Sequence, residues 1–541
     1  MNEPNQSSPR ISKPEFGTEV VLSRVSIRAG HQVLLREANA TFPKNKLSLV
    51  VGRSGVGKST LLRAIAGLLD RDDSEIEVRG TIELRTGATS RPPRAGRVGV
   101  VFQDFALFDE LKPRANIQLA LAHRPKDRSR VAAPSPEQLL DELGVPPDVR
   151  TAALSGGQRQ RLAIARILVY DPGVVLYDEP TSGLDTATAK EVAQVIADAH
   201  ARHPATAIVV THDYRSLLPV ADAVFVIDPT AHVLEPIAGA QWSQLDQRLD
   251  RSPVCLADGR KETVPRSLGV RIWHRSMRAM GDFLAGTGRI VEAVAEVPLR
   301  LLPLWRSPRW GARFFLHYLR AVAGLSAWLY IAIAGAIIGF VTTYFTFRFL
   351  PSANYTKPLL IEDLLQSMGF ALYRILVPIL VTILIAARCG AAVASDVGSK
   401  QYGHQIDALR ALGAPPRRYL LTGILYAFLF GTPWLLAIGY ASSALASLTV
   451  FTATHPGRGP WFWNLHFHRA LVIPGHFWYA GTSWLFAKTI VCATGIALIA
   501  YWLAARPKDS SRAVSSGVTS TILWSTLYVL LIHFVFAFFE F

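Results

Sequence analysis

Residues Gly52-Arg53-Ser54-Gly55-Val56-Gly57-Lys58-Ser59-Thr60 set glycines, a lysine and adjacent hydroxyls at the spacing of a phosphate-binding loop. The apolar run Leu47-Ser48-Leu49-Val50-Val51 before it reads as a strand, and 61–69 after it reads as a helix. Glycines let successive backbone N–H groups turn inward around an anion, and the helix N-terminus adds favourable partial charge. Lys58 would neutralise the β- and γ-phosphates of a nucleotide, and the Ser59 hydroxyl would ligate Mg2+. Gly52, Ser54, Gly55, Gly57 and Thr60 would complete the cradle. A second strand-like run, Val174-Val175-Leu176-Tyr177, delivers Asp178 and Glu179 side by side. Asp178 would hold Mg2+, directly or through water, and Glu179 would polarise an attacking water. In Leu154-Ser155-Gly156-Gly157-Gln158 the glycines allow close backbone approach, and Ser155 would stand at a helix N-terminus facing phosphate. Two further strand-like runs end in Gln103-Asp104 and in His212-Asp213. Taken singly, Gln103 is a loop residue, His212 a satisfied histidine and Asp185 a helix cap.

Such groups need alternating strands and helices to position them, and 16–250 reads as an α/β nucleotide-binding domain. The whole chain is larger and more apolar than that domain requires. It has 541 residues, 50% hydrophobic and 18% charged, with a mean hydropathy of +0.24. A net charge of +16 suits a surface facing anionic lipid or nucleic acid, and the long apolar segments favour lipid. Cys255, Cys389 and Cys492 lack metal-ligand spacing, so buried thiols are expected, with neither a disulfide nor a zinc site. Residues 1–15 are polar, without the apolar core of a secretory signal, and read as a mobile tail that leaves the first domain in the cytoplasm.

In this order the phosphate loop, Gln103, the Leu154–Gln158 stretch, Asp178-Glu179, Ser182-Gly183-Leu184-Asp185 and His212 resemble the ATPase domain of ABC transporters, over essentially all of 16–230. The resemblance implies ATP and Mg2+ as cofactors. It implies that Gln103 joins Ser59 and Asp178 around Mg2+ and water, and couples them to a membrane domain. It implies that His212 contacts the γ-phosphate beside the catalytic Glu179, and that Asp185 lies at a dimer interface. Ser155, Gly156, Gly157 and Gln158 of one copy would then close the nucleotide site of another. One departure concerns the base: Ile27-Arg28-Ala29-Gly30-His31 lacks the aromatic that usually stacks on adenine. Arg28 or His31 stacks instead, or the base is weakly held, which leaves ATP-over-GTP preference open.

Residues 251–320 hold thirteen Lys/Arg against five Asp/Glu, with Trp273, Trp305 and Trp310 interspersed. This reads as a basic amphipathic linker with helices at a membrane surface; nucleic acid is the rival partner. Five candidate spans follow, at 326–347, 368–394, 420–453, 481–505 and 518–539. The second contains Arg374 and Arg388, the third a Gly431-Thr432-Pro433 break, the fourth Lys488 and the fifth His533. Loops 396–418 and 505–517 hold seven Lys/Arg, whereas 348–367 and 454–479 hold four, which places the former inside and the C-terminus outside. The 454–479 loop, with Trp461, Phe462, Trp463, His466, Phe467 and His468, is an interfacial aromatic belt or a partner-docking surface.

Within the second half, Ala387–Gly398 and the run Gln405-Ile406-Asp407-Ala408-Leu409 through Gly413, Pro415 and Tyr419-Leu420 resemble the MlaE/YrbE permease family of lipid transporters, over roughly 310–541. The resemblance implies a lipid-handling ABC system with an MCE-type periplasmic lipid-binding partner. Two positions depart from the family: Arg374-Ile375 replaces its usual Arg-Glu, and Asp396-Val397-Gly398-Ser399-Lys400 replaces a Glu-Leu-Gly-Thr-Met-like run. Intramembrane cations are costly unless they face a cavity or a partner, so Arg374 and Lys488 either meet a lipid headgroup or snorkel to the outer interface. Ile375 removes the obvious local partner of Arg374. Asp407 and Arg410, three apart, share a helix face, and the Gln405–Leu412 segment is the candidate coupling element.

The expected architecture is therefore an α/β ABC ATPase domain (16–250), a basic linker (251–320) and an all-α polytopic membrane domain (321–541). The expected protein is an ATP-driven lipid half-transporter of the bacterial inner membrane, paired with a second copy of itself and binding no nucleic acid. The alternatives are an ABC exporter of another amphiphile and a non-transport ABC ATPase. Transport direction, lipid class and partner identity stay open.

Overall fold

The apolar run before the phosphate loop is a strand buried at every position, as the centre of a parallel sheet requires. The computed structural model describes residues 17–30, 32–69, 76–125, 135–245, 305, 307–349, 353–508 and 510–541. The 1–15 tail, His31, Cys255, Trp273 and most of the basic linker lie outside the described residues. The chain divides into two compact units: Met1–Lys261 with His404–Ala414, and Glu262–Gly403 with Pro415–Phe541.

The first unit begins with β1 (Thr18–Ala29), β2 (Gln32–Phe42) and β3 (Leu47–Val51), then α1 (Lys58–Ala66). There follow β4 (Ile76–Thr86), β5 (Thr89–Arg91), β6 (Gly99–Val101), α2 (Pro113–His123), α3 (Pro136–Glu142) and α4 (Gly156–Tyr170). It continues through β7 (Val174–Asp178), α5 (Thr186–Arg202), β8 (Thr206–Thr211), β9 (Ala223–Ile227) and β10 (Leu234–Ile237). One sheet has the order β10-β9-β3-β8-β7-β6, parallel except for the antiparallel β10–β9 edge; a second, antiparallel, has the order β2-β1-β4-β5. Parallel registers Val51↔Thr211 and Asp178↔Val210 align the C-terminal ends of β3, β7 and β8. That edge is where an open parallel sheet presents its ligand-binding loops.

The second unit begins with α6 (Pro308–Ala323) and α7 (Leu325–Phe349), then α8 (Ala353–Ala371), α9 (Val377–Ile385) and α10 (Ala391–Tyr402). Two π-helical turns, Leu372–Leu376 and Ala386–Gly390, join the last three. The short α11 (Gln405–Ala411) belongs to the first unit. The second unit resumes with α12 (Thr422–Thr454), α13 (Pro460–Phe467), α14 (Thr482–Ala504) and α15 (Ser511–Glu540). Among the described residues, five helical runs are long and apolar enough to cross a membrane: Pro308–Phe349, Ile361–Tyr402, Arg417–Thr454, Thr482–Ala504 and Ser511–Glu540. Cys389 and Cys492 are buried free thiols.

Three sequence expectations change. The 348–367 segment is helical over α8 rather than a loop, because its only charges, Arg348, Lys357, Glu362 and Asp363, do not interrupt its apolar spacing. The 454–479 segment contains the helix α13, started by Pro460 at its first position. The expected break at Gly431-Thr432-Pro433 is absent, and α12 runs straight through Pro433. Around that proline the helix is tightly packed: Gly431 lies against Val322 and Ala323, and Thr432 is buried.

Small residues set the closest helix pair. A Cβ on Gly335 would meet Ser442 and the Gly439 carbonyl, and one on Gly339 would meet the Ser443 backbone. Thr343 Oγ1 donates to Ser447 Oγ at 2.8 Å on the same α7–α12 seam. On α15, Gly517, Thr521, Ser525, Val529 and His533 form a buried stripe at every fourth residue, and His533 Nε2 shares a 2.9 Å hydrogen bond with Thr382 Oγ1. Gly339→Val should lower the stability of the second unit by about 1–3 kcal/mol through overpacking, read as a lower melting temperature in detergent. Ile337→Val, at a position 58% exposed in the chain, is the neutral control.

Candidate functional site

The phosphate loop closes on itself through Lys58. Gly55 and Gly57 take positive φ (83° and 98°), and Lys58 Nζ donates to the carbonyls of Gly52 at 2.9 Å and Arg53 at 3.0 Å. Lys58 is also 3.3 Å from Glu179 Oε1. Ser59 Oγ donates to Asp178 Oδ1 at 2.8 Å. Glu179 leaves β7 in the left-handed region, at φ 49°, held by its N–H to the Val210 carbonyl at 2.8 Å. Its Oε2 meets His212 Nδ1 at the end of β8. Five sequence-identified residues, Lys58, Ser59, Asp178, Glu179 and His212, thus converge on one sheet edge. Burial pushes the Asp178 carboxyl up, opposed by the Ser59 hydroxyl and the nearby Arg63 guanidinium.

The pair Ser59 Oγ and Asp178 Oδ1 is compact and made of hard oxygens, which suits Mg2+ with phosphate and water completing its shell. Gln103 is exposed and makes no hydrogen bond to that pair. Ser54 and Gly55 are exposed, Thr60 is half-buried at the start of α1, and Gly52 is buried behind the loop. Ser155 caps α4 in a reciprocal box: its hydroxyl accepts the Gln158 N–H at 3.3 Å, and its own N–H donates to Gln158 Oε1 at 3.0 Å. Gly156 and Gly157 have open space where a Cβ would stand, as a close backbone approach demands. Asp185 caps α5, accepting from Ala187, Thr188 and the Thr188 hydroxyl. Arg28 is exposed at the end of β1 and Ala29 packs on the core.

A buried arginine of this unit escaped the sequence reading. Arg166, wholly buried in α4, donates to the carbonyls of Ala106 at 2.6 Å and Phe105 at 3.0 Å. Those two residues have positive φ (48° and 63°) directly after Gln103-Asp104, so Arg166 clamps a strained turn beside Gln103. Burial lowers its pKa to about 10. The only sequence signal was a charge inside the apolar run Ala163-Ile164-Ala165-Arg166-Ile167.

Gln405 and Asp407 are buried, and Asp407 Oδ1 lies 3.8 Å from Arg410 Nη1, on one face of α11. Ala408 and Ala411 join the core cluster of Val100, Phe102 and Leu176, and Leu412 joins that of Tyr170 and Leu162.

In the second unit, Arg374 and Lys488 meet. The local carboxylate missing at Ile375 is replaced by a distant one, Glu540, at the end of α15. Arg374 Nε donates to Glu540 Oε1 at 2.8 Å, and Lys488 Nζ to Oε2 at 2.9 Å and to the Arg374 carbonyl at 2.6 Å. Both cations and the carboxylate are largely buried, with side-chain exposures of 15%, 4% and 1%. Phe370 and Phe541 flank the guanidinium, with centroids 5.1 and 4.9 Å away. Sequence distance hid the pair, since 166 residues separate Arg374 from Glu540.

Residues 35–182 match the family model "ABC transporter", and residues 316–539 match "Permease MlaE". The chain is 38% identical over 212 residues to the sulfate/thiosulfate import ATP-binding protein CysA of Synechocystis sp., covering 38% of this chain and 58% of that protein. It is 32% identical over 240 residues to the methionine import ATP-binding protein MetN of Mesorhizobium japonicum, covering 44% of this chain and 65% of that protein. The chain thus spans less than two thirds of these relatives' lengths. A solved structure of cbiO1 from Clostridium perfringens, part of the ABC transporter complex cbiONQ, is similar at a TM-score of 0.35 and 23% identity, covering 43% of this chain and 92% of that one.

Glu540→Ala leaves two buried cations without their anion, which should cost roughly 3–5 kcal/mol of stability. Thermal unfolding in detergent reads this loss, and Lys488→Met in the same background should recover part of it. An unshifted melting temperature in Glu540→Ala would mean that the triad is already hydrated and contributes nothing.

Proposed function

Starting from a chain that joins an ABC transporter ATPase domain to an MlaE-type permease domain, we propose that this protein is an ATP-driven phospholipid transporter of the bacterial inner membrane. The single observation that carries the reading is the permease match over 316–539, downstream of an assembled phosphate loop and carboxylate pair. Sulfate and methionine belong to the named relatives, and the cargo of this chain follows from its own permease half.

In this reading Lys58 and the loop N–H groups hold the phosphates of ATP. Ser59 and Asp178 would hold Mg2+, which would neutralise phosphate charge when bound, and Gln103 would join them only once nucleotide draws it in. Glu179 takes a proton from the attacking water, and His212, against the other oxygen of that carboxylate, orients it and contacts the γ-phosphate. Ser155, Gly156, Gly157 and Gln158 of a second copy complete each site, so one ATPase domain per chain implies a symmetric homodimer. Closure of the ATPase domains passes through Gln405, Asp407 and Arg410 of α11 to the spans.

The first unit lies in the cytoplasm. The segment between the second and third spans, His404–Ala414, belongs to that unit; with that segment inside, alternation of the spans would leave the C-terminus outside. The inside loops are also the more basic. Arg374, Lys488 and Glu540 carry two positive charges against one negative. The residual charge suits one phosphodiester headgroup, bound by the guanidinium with charge-assisted hydrogen bonds. An MCE-type lipid-binding protein is the expected outer partner.

Glu179→Gln should lower kcat about 100-fold or more while ATP still binds, whereas Lys58→Ala should weaken ATP binding itself. Mass spectrometry of lipids retained in mild detergent should show phospholipid on the wild type and less on Arg374→Ala, with Arg374→Lys between them. Wild-type turnover by Glu179→Gln removes the catalytic assignment. Equal phospholipid on Arg374→Ala and wild type removes the headgroup site.

A further inference from the structure

Arg63 and His404 have no part in the reading above, yet they join the phosphate-loop helix to α11. His404 adopts the left-handed region, at φ 54°, at the N-terminus of α11. Its ring lies parallel to that of Phe102, with centroids 5.8 Å apart and planes 8° apart. Phe102 is buried and directly precedes Gln103. Arg63 Nη2 is 3.3 Å from His404 Nδ1 and 3.5 Å from Nε2, and Asp407 Oδ2 is 3.3 Å from Nδ1. In the neutral tautomer with Nδ1–H the ring donates to the carboxylate, and Nε2, the farther of its two nitrogens from Arg63, is left to accept from the guanidinium. The other tautomer turns a lone pair toward the carboxylate. Asp407 then faces Arg410 at 3.8 Å. At the other end, Arg63 lies about one and a half turns along α1 from Lys58.

We propose that Arg63 and His404 are positioning residues of a relay that makes α11 respond to nucleotide. The rigid α1 carries the state of the phosphate loop to Arg63. His404 passes it to Asp407, and its stacking on Phe102 ties the same ring to the Gln103 turn. The proposal rests on the transport reading, in which α11 drives the spans. A purely structural cap at His404 would need only the Asp407 bond and a residue that tolerates positive φ. Asparagine supplies both, since it enters the left-handed region readily and its amide can reach Asp407, but it is too short for Arg63. His404→Asn therefore separates cap from relay.

The test uses the full chain with Glu179→Gln to prevent turnover, Cys255→Ser, and a fluorophore on Phe477→Cys, a position 92% exposed in the loop between α13 and α14. The probe is Mg-ATP. The midpoint of the titration reports nucleotide affinity, and its amplitude reports transmission into the second unit. His404→Asn and Arg63→Gln should each keep the midpoint within about twofold and cut the amplitude roughly fivefold or more. The double variant should be no worse than the deeper single, because both remove one link. Arg63→Lys should retain part of the amplitude. Parental amplitude in both singles, or losses that multiply in the double, overturns the relay alone. Absence of any ATP response in the Glu179→Gln parent overturns the transport reading and the relay with it. The unshifted midpoint shows that each variant is folded, and the two singles alter different helices, so neither result hangs on one side chain.

Discussion

The constraint on which the rest depends is the burial of α11 within the nucleotide-binding unit. Ala408 and Ala411 enter one apolar core of that unit and Leu412 enters the other. Such a fit tolerates only small side chains at its tightest points. Gly96 and Gly413, both at positive φ, come so close that a Cβ on Gly96 would lie 2.8 Å from the Gly413 Cα. A segment lying between two candidate spans is therefore folded as part of the unit that holds the phosphate loop. Its charged groups pair locally, His404 and Arg410 with Asp407, so burial leaves few charges exposed to an apolar core, while Gln405 Oε1 is buried without a hydrogen-bond partner.

A second constraint acts in the apolar half, where a charge without a counter-charge is expensive. Arg374 sits in a π-helical turn, Leu372–Leu376, which shifts it relative to the regular helix on either side. There it meets Glu540 from α15 and Lys488 from α14. The triad thus ties three candidate spans together at one level. Two cations against one carboxylate leave the triad with one excess positive charge.

How much of this was legible in the sequence follows from the range of the interactions. The phosphate loop, the Asp178-Glu179 pair and the helix N-terminus at Ser155 are local, set by spacing within short segments, and they stand where the residues indicated; the reciprocal Ser155–Gln158 box was not read. The convergence of Glu179 and His212 needs the parallel β7–β8 pairing and could be read only through the family resemblance. Glu540 as the partner of Arg374, Arg166 as a clamp on Phe105-Ala106, and Arg63 beside His404 are contacts between distant segments, which neither periodicity nor motif encodes. Pro433 shows the reverse error. A residue that breaks isolated helices lies here inside a continuous helix, in a turn packed closely at Gly431.

The central claim is that ATP hydrolysis on the first unit moves phospholipid through the second. The most direct measurement is ATP-dependent redistribution of a fluorescent phospholipid in vesicles containing the purified full chain, with chemical quenching of the outer leaflet as the readout. The account predicts redistribution with Mg-ATP that is absent from the Lys58→Ala protein. Sustained ATP hydrolysis that leaves every phospholipid probe at its passive rate, while another amphiphile moves, would contradict it.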